Sequence, residues 1–388
     1  MKRRFVGTVL VGFGVLFLVL AIGLPVYVAP AVTRLPNDLQ ACPAADKPQP
    51  SGCIKPSVAE AAGATFLQIK DGKPAIQRGT LRSTTEVLPR ADVTAAWQRS
   101  GKLGDDAVVW DVYGTAVWTE TKEVISAYST ELALDRASAA AIDWDGQWLD
   151  DADLGPGKTP LRNVKYEGQT YKFPFGTDKI EYKIFDRDLR RALPARFREV
   201  TSVNGVEAYK FDQVIDKQEL AVPAASLGVL LSTFAPGATS AKVLYSNTRE
   251  VWVEPTTGAY LNVRERQLKT LVPDTGSETT LLDADFRYTT ATIDNSVKSA
   301  SNNVNRLKLV NLYGPIVFGI LAVLAIVGGL LLARRRESPT FKTGAWDETL
   351  PKSRHRLRGE ATGSPDETSG PLTDTIPGTT PTWSGPPR

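Results

Sequence analysis

Between residues 143 and 153 the chain reads Asp-Trp-Asp-Gly-Gln-Trp-Leu-Asp-Asp-Ala-Asp. Closely spaced carboxylates beside a glycine supply the oxygen ligands that a hard cation such as calcium takes. Asp143, Asp145 and Asp150 are the candidate metal ligands. The spacing departs from the EF-hand pattern, because Gly146 follows the second acid directly rather than three residues later. The same acids could instead form a carboxylate pair for glycoside cleavage. Trp144 and Trp148 alternate with them, and an exposed indole face can stack on a sugar ring or line a lipid groove. These two are the candidate ligand contacts. The plainer alternative is a solvated acidic hairpin tip, with the tryptophans turned into the core.

Other chemistry is narrowed by what the chain holds. Its single histidine, His355, lies in Arg354-His355-Arg356 near the C-terminus. A Ser-His-Asp triad or a histidine-bound zinc therefore has no histidine in the central region. The two cysteines, Cys42 and Cys53, bracket a Pro-rich stretch and read as a disulfide closing a short loop in an oxidising compartment. With thiols oxidised, catalysis is left to carboxylates or a Ser-Lys pair. The expectation is a protein that is not an enzyme and needs no cofactor.

The elements that must carry these residues begin and end with apolar runs. Phe5 to Ala29 follows Lys2-Arg3-Arg4, and Leu309 to Ala333 precedes Arg334-Arg335-Arg336. Each is long enough to cross a bilayer, and neither holds a charge. The basic flanks place both termini in the cytoplasm. A cleaved leader ending near Val28-Ala29-Pro30-Ala31 is the alternative for the first run. Small residues at Gly12, Gly14, Ala325 and Gly329 could let the two helices approach closely.

The expected organisation follows. Residues 1–4 form a cytoplasmic N-terminus and 5–29 the first transmembrane helix. Residues 30–60 form a Pro-rich stalk with the disulfide loop. Residues 61–308 form a β-rich extracytoplasmic domain and 309–333 the second helix. Residues 334–388 form a disordered cytoplasmic tail, rich in Pro, Thr, Ser and Gly. The part outside the membrane has 34 basic and 36 acidic residues. That near-balance offers no basic face for nucleic acid.

Strand signals dominate the central region. Val108–Tyr113 and Val124–Leu134 read as strands. Asn204-Gly205 turns one hairpin, and Pro255 to Gly258 turns another. Helices are expected at Asp92–Gln98, at Asp186–Phe197 with a break at Pro194, and at Ser296–Leu309. Val117-Trp118-Thr119-Glu120 and Val251-Trp252-Val253-Glu254 echo each other faintly, as two related modules would. The fold class is α+β, a mainly antiparallel β ectodomain flanked by one transmembrane helix at each end.

Several motifs carry a resemblance. They are Pro25-Val-Tyr-Val-Ala-Pro30, Tyr171-Lys-Phe-Pro-Phe-Gly-Thr177, Tyr182-Lys-Ile-Phe-Asp186, Asn204-Gly-Val-Glu-Ala-Tyr-Lys-Phe211 and Trp252-Val-Glu-Pro-Thr-Thr-Gly258. In these the chain resembles an actinobacterial two-helix envelope family of unknown function known as the porin PorA family. The resemblance covers all but the tail and transfers no catalytic residue. It implies a plasma-membrane protein of the cell envelope, some of whose relatives act in lipoglycan maturation. An outer-membrane porin is normally a closed barrel without apolar helices. The expected function is therefore a non-enzymatic anchored domain that binds or scaffolds lipid or lipoglycan. Its partners would be the membrane, envelope-biosynthesis enzymes and further copies of itself. The alternatives are an oligomeric porin-like channel and a carboxylate-dependent carbohydrate-active enzyme.

Overall fold

The computed structural model describes residues 2–37, 40–42, 50, 53–151 and 164–334. Helix α1 (Lys2–Gly23) continues through a π-helical turn at Leu24–Val28 into the short α2 (Ala29–Val32). Pro25 and Pro30 lie in this stretch, and each removes a backbone N–H that an α-helix would use. Cys42 and Cys53 are joined by the expected disulfide. Beside it Cys42 N–H donates to the Ile54 carbonyl at 2.8 Å, and Ile54 N–H to the Gln40 carbonyl at 2.9 Å.

Strands β1 (Ser57–Lys70) and β2 (Lys73–Pro89) form a hairpin turned by Asp71-Gly72, both at positive φ. Helix α3 (Ala91–Arg99) leads to β3 (Ala107–Trp118) and β4 (Glu123–Asp135). Four short strands follow: β5 (Ala140–Ile142), β6 (Trp148–Asp150), β7 (Gly168–Gln169) and β8 (Tyr182–Asp186). The long strands resume with β9 (Arg191–Val203) and β10 (Val206–Glu219), joined at Asn204-Gly205 as the sequence predicts. After α4 (Ala224–Phe234) come β11 (Ala241–Val253), β12 (Tyr260–Pro273) and β13 (Thr279–Tyr288). Helix α5 (Thr290–Lys308) then passes through a π-helical turn at Leu309–Tyr313 into α6 (Gly314–Arg334).

The strands close on themselves. From β3 the order runs β2, β1, β13, β12, β11, β10, β9, β8, β7, β5, β4, and β4 pairs again with β3. Of the 13 strands only β6 stands off this ring, on β4, which leaves a closed 12-stranded barrel. The α+β class with flanking helices holds, and barrel closure is the feature the sequence reading lacked. Closure depends on its shortest members, with β7 and β8 joined in parallel at Gln169 and Ile184.

The helix expected at Asp186–Phe197 is instead a turn and a strand. Its Arg-Ala-Leu composition suits a helix, yet Ala195 and Phe211 pack with Phe173 and Ile184 in one buried cluster. Pro194 stands opposite Lys183 on β8, just past the end of the β9–β10 ladder, where a missing N–H costs little. The faint internal echo separates as well. Trp118 packs edge-on against Phe66, whereas Trp252 packs under Ile293 and Val297 of α5.

Helices α1 and α6 run antiparallel. Gly7 meets Gly329, Gly14 meets Ala322 and Ile326, and Phe17 stacks on Phe318 at 6.0 Å. A Cβ on Gly7 would come within 2.8 Å of the Gly329 carbonyl oxygen, so these glycines set the approach. Gly14 and Gly329 thus face the partner helix, but Gly12 faces open space. The helical stretches Arg3–Val32 and Thr290–Arg334 are long and apolar enough to cross a membrane, and most of their side chains are exposed. At 21 residues α6 spans about 31 Å, close to the thickness of a hydrocarbon core.

Candidate functional site in the barrel lumen

Alternation on each strand divides the barrel wall into two chemistries. Outward positions from β9 round to β2 carry cross-strand ion pairs. Arg198 pairs with Asp212 at 2.9 Å, and Lys210 and Arg264 both reach Glu250. Arg264 also pairs with Asp285 at 2.8 Å and Arg82 with Glu60 at 2.6 Å, and along β13 itself Asp285 pairs with Arg287 at 2.7 Å. Two helices cover apolar parts of this outer wall. Trp97 on α3 packs with Val109 and Ala133, and α5 lays Ile293, Val297 and Ala300 on Ala208 and Leu261.

The inward positions enclose a cavity of about 500 Å³. Phe66, Leu81, Ile125 and Phe286 line one part of it, and Tyr128, Tyr166 and Tyr171 another. A second space of about 210 Å³ shares Ser57, Thr85, Tyr171 and Tyr288 with it and adds Lys55 and Lys172. At the other end of the strands α4 packs Leu227, Leu230 and Phe234 against Leu67, Ile76 and Leu271.

A network of charges is built into the lumen. Arg249 on β11 bonds Glu265 on β12 and donates to Gln213 Oε1 on β10 at 2.8 Å. Its guanidinium lies 3.6 Å from the Asp186 carboxylate, which also accepts from the Tyr245 hydroxyl at 3.2 Å. Gln213 in turn donates to the carbonyls of Ile184 and Leu193, which ties β10 to β8 and β9. Lys269 pairs with Asp188 at 2.6 Å, drawing the turn after β8 against β12. Burial pushes the Asp186 carboxyl up, with Arg249 offsetting only part of the effect. Burial also opposes ionisation of Glu265, but Arg249 outweighs it and holds that carboxyl below its usual range. For Asp188 burial is likewise outweighed, by Lys269 and Arg187.

Four of the five motifs that carry the family resemblance meet at one end of this lumen, the fifth, Pro25–Pro30, lying in the N-terminal helical stretch. Segment 171–177 docks on the turn between β11 and β12. Phe173 N–H donates to the Gly258 carbonyl at 2.9 Å, Gly176 N–H to that of Thr256 at 3.0 Å, and Thr177 N–H to that of Pro255 at 2.7 Å. The Lys172 ammonium bonds the Thr257 carbonyl and lies 3.7 Å above the Phe175 ring. Burial pushes this amine down to about 7. Glu254 fixes the turn by accepting from the backbone N–H groups of Thr256 and Thr257. Gly258 has φ +71°, and a Cβ there would fall 2.1 Å from the Phe173 carbonyl oxygen. Phe173, Tyr182 and Phe211 from three of these segments, with Tyr260 at the start of β12, complete an aromatic cluster.

The acidic stretch lies elsewhere. Asp143 is exposed and pairs with Lys165 at 2.8 Å, and that lysine holds its carboxyl below the usual range. Asp145 is exposed, and Asp150 stands on β6 opposite Ser129. Among the described residues no group of three or more His, Cys, Asp or Glu side chains is placed to hold a metal ion. Trp144 is 3% exposed, with Trp97 edge-on at 4.9 Å, so the protein itself occupies its ring. Trp148 is partly buried, and its carbonyl accepts from the Thr130 hydroxyl. Asp153 and the residues after 334 lie outside the described residues.

The sequence profile of the family described as Porin PorA matches residues 6–331. This chain belongs to the Porin PorA family. A protein named Porin PorA from Corynebacterium resistens is 24% identical over 241 residues, covering 56% of this chain and 54% of that one. The chain thus spans about half the length of the curated relative it matches.

Proposed function

We propose that this protein is a membrane-anchored, porin-like conduit whose barrel lumen is the path of a small hydrophilic solute. The observation that carries this reading is the closed 12-stranded ring around a cavity with a built-in charge network. Membership of the Porin PorA family supports it. The outer wall bears on how the membrane is crossed. A spanning barrel turns an apolar band toward lipid, whereas this wall turns Arg264, Asp285, Arg287, Arg82 and Glu60 outward. In this account the barrel stands in water, and α1 and α6 cross the plasma membrane as an antiparallel pair. Basic residues at the outer end of each support a cytoplasmic location for both termini. One helix pair encloses no aqueous path, so conduction requires several copies.

The test is conductance. Purified full-length protein added to a planar bilayer is expected to give discrete current steps from oligomeric fractions. Silence from every fraction overturns the reading. The apolar lining at Phe66, Leu81, Ile125 and Phe286 favours a second reading, a chamber that holds a lipid or lipoglycan for envelope-biosynthesis enzymes. That reading predicts defined lipids co-purifying with a protein that conducts nothing.

A further inference from the structure

The lumen contains three basic side chains in the neighbourhood of three carboxylates, but their pairing is uneven. Arg249 is engaged by Glu265 and Asp186, and Lys269 by Asp188. Arg187, on the turn after β8, lines the same cavity with no ion pair or hydrogen bond to any described residue. Its guanidinium lies over the ring of Tyr128 at 3.9 Å. That contact holds the guanidinium against the ring, and none of its five N–H donors bonds a described residue.

The platform beneath it depends on a glycine. Tyr128 on β4 stands opposite Gly114 on β3, and a Cβ on Gly114 would lie 1.9 Å from the tyrosine ring. Two further polar groups line the cavity without a hydrogen-bond partner among the described residues, the Thr170 hydroxyl and the Tyr260 hydroxyl, and both are buried. A cationic fork with unused donors, in a cavity that also holds two unused hydroxyls, is chemistry that complements a planar or tetrahedral oxyanion. The rest of the lining, including Phe66, Ile125 and Phe286, suits an apolar portion attached to it.

We propose that Arg187, stacked on Tyr128, is a binding site for the carboxylate or phosphate group of a small anionic molecule inside the barrel. This rests on the reading of the lumen as the place where solute enters, and it requires no conduction. It gives the solute a charge sign: Arg249 and Lys269 are held in direct ion pairs, whereas Arg187 feels Asp188 and Asp151 only at longer range and is the lumen cation with donors left to take an anion.

The test uses full-length protein in neutral detergent and calorimetric titration with four probes. They are inorganic phosphate, octyl phosphate, uncharged octyl glucoside, and vesicles of phosphatidylcholine with phosphatidylglycerol. Saturable binding of octyl phosphate is expected, with at least a tenfold loss of affinity in Arg187→Gln and partial retention in Arg187→Lys. Equal binding of phosphate alone would identify a free oxyanion as the source. Binding only of the phosphatidylglycerol vesicles, abolished by Arg187→Gln, would identify a lipid headgroup. Either supports the site. Octyl glucoside binding the unaltered protein as well as octyl phosphate does overturns it, whether or not the variants fold. So does anion binding that Arg187→Gln leaves unchanged. Current steps without anion binding would remove this inference alone, and anion binding without current steps would remove only the conduit.

Discussion

Arg249 and Glu250 are neighbours on β11 and stand on opposite faces of the barrel wall. Arg249 points into the barrel and is held by Glu265, Gln213 and Asp186, the last of them 1% exposed. Glu250 points outward and joins Lys210 and Arg264 in a ladder that continues to Asp285 and Arg287, the last 62% exposed. The interactions have similar partners and lengths. Their energetics differ because removing one member of a buried network leaves the others charged and unpaired, whereas an exposed charge is taken up by water. The inner face therefore specifies the lumen, and in the proposed account the outer face suits water. The apolar surface suited to lipid is found on α1 and α6.

The largest effect is expected from Arg249→Met, which strands Glu265 and the buried Asp186. Urea unfolding of the full-length protein should show a loss of about 3–5 kcal/mol. A loss within the range of surface pairs would erase the contrast between the faces. Next comes Gly258→Val, where a side chain at positive φ would collide with the Phe173 carbonyl. A loss of about 3 kcal/mol is expected, together with earlier proteolysis of segment 171–177.

The outer wall contains one exception that sharpens the comparison. Glu131 stands directly opposite Asp111 on β3, with Arg90 bound to Asp111. Burial, and then the hydrogen bond shared with Asp111, push the Glu131 carboxyl up to about 7. A folded-state value raised above the unfolded one gives stability that is complete below about pH 4.5 and is lost as pH rises through about 7. Thermal unfolding across that window should show a decline worth about 1–3 kcal/mol. Glu131→Gln should flatten it, and an unchanged slope in that variant would contradict the assignment. The smallest effect is expected from Arg264→Ala on the exposed ladder, about 0–1 kcal/mol and weaker still in high salt.

The long strands were legible because their alternation is strong and their turns carry Asn-Gly or Pro and Gly. Ring closure was not. It depends on β5 and β7, of three and two residues, too short to show any period. The lumen charges left a signal that went unread. Arg249 shares its alternation phase with the buried Val251 and Val253, as Lys269 does with the buried Leu271. Charges in phase with a buried row mark a polar interior. The acidic stretch attracted attention by composition, yet Asp143 and Asp145 are exposed, while the acids in the cavity wall come from distant segments. Four of the five family motifs fared better, since they converge on one end of the lumen.

The most direct measurement uses cysteines placed on the two faces. The native cysteines are joined to each other, so Ser126→Cys on the cavity wall and Thr248→Cys on the outward face each add a lone thiol. Current through planar bilayers is recorded before and after a charged thiol reagent. The account predicts that the reagent lowers conductance of the Ser126→Cys protein and leaves the Thr248→Cys protein unchanged. Conductance unaffected at both positions, or lowered equally at both, would contradict a solute path through the barrel.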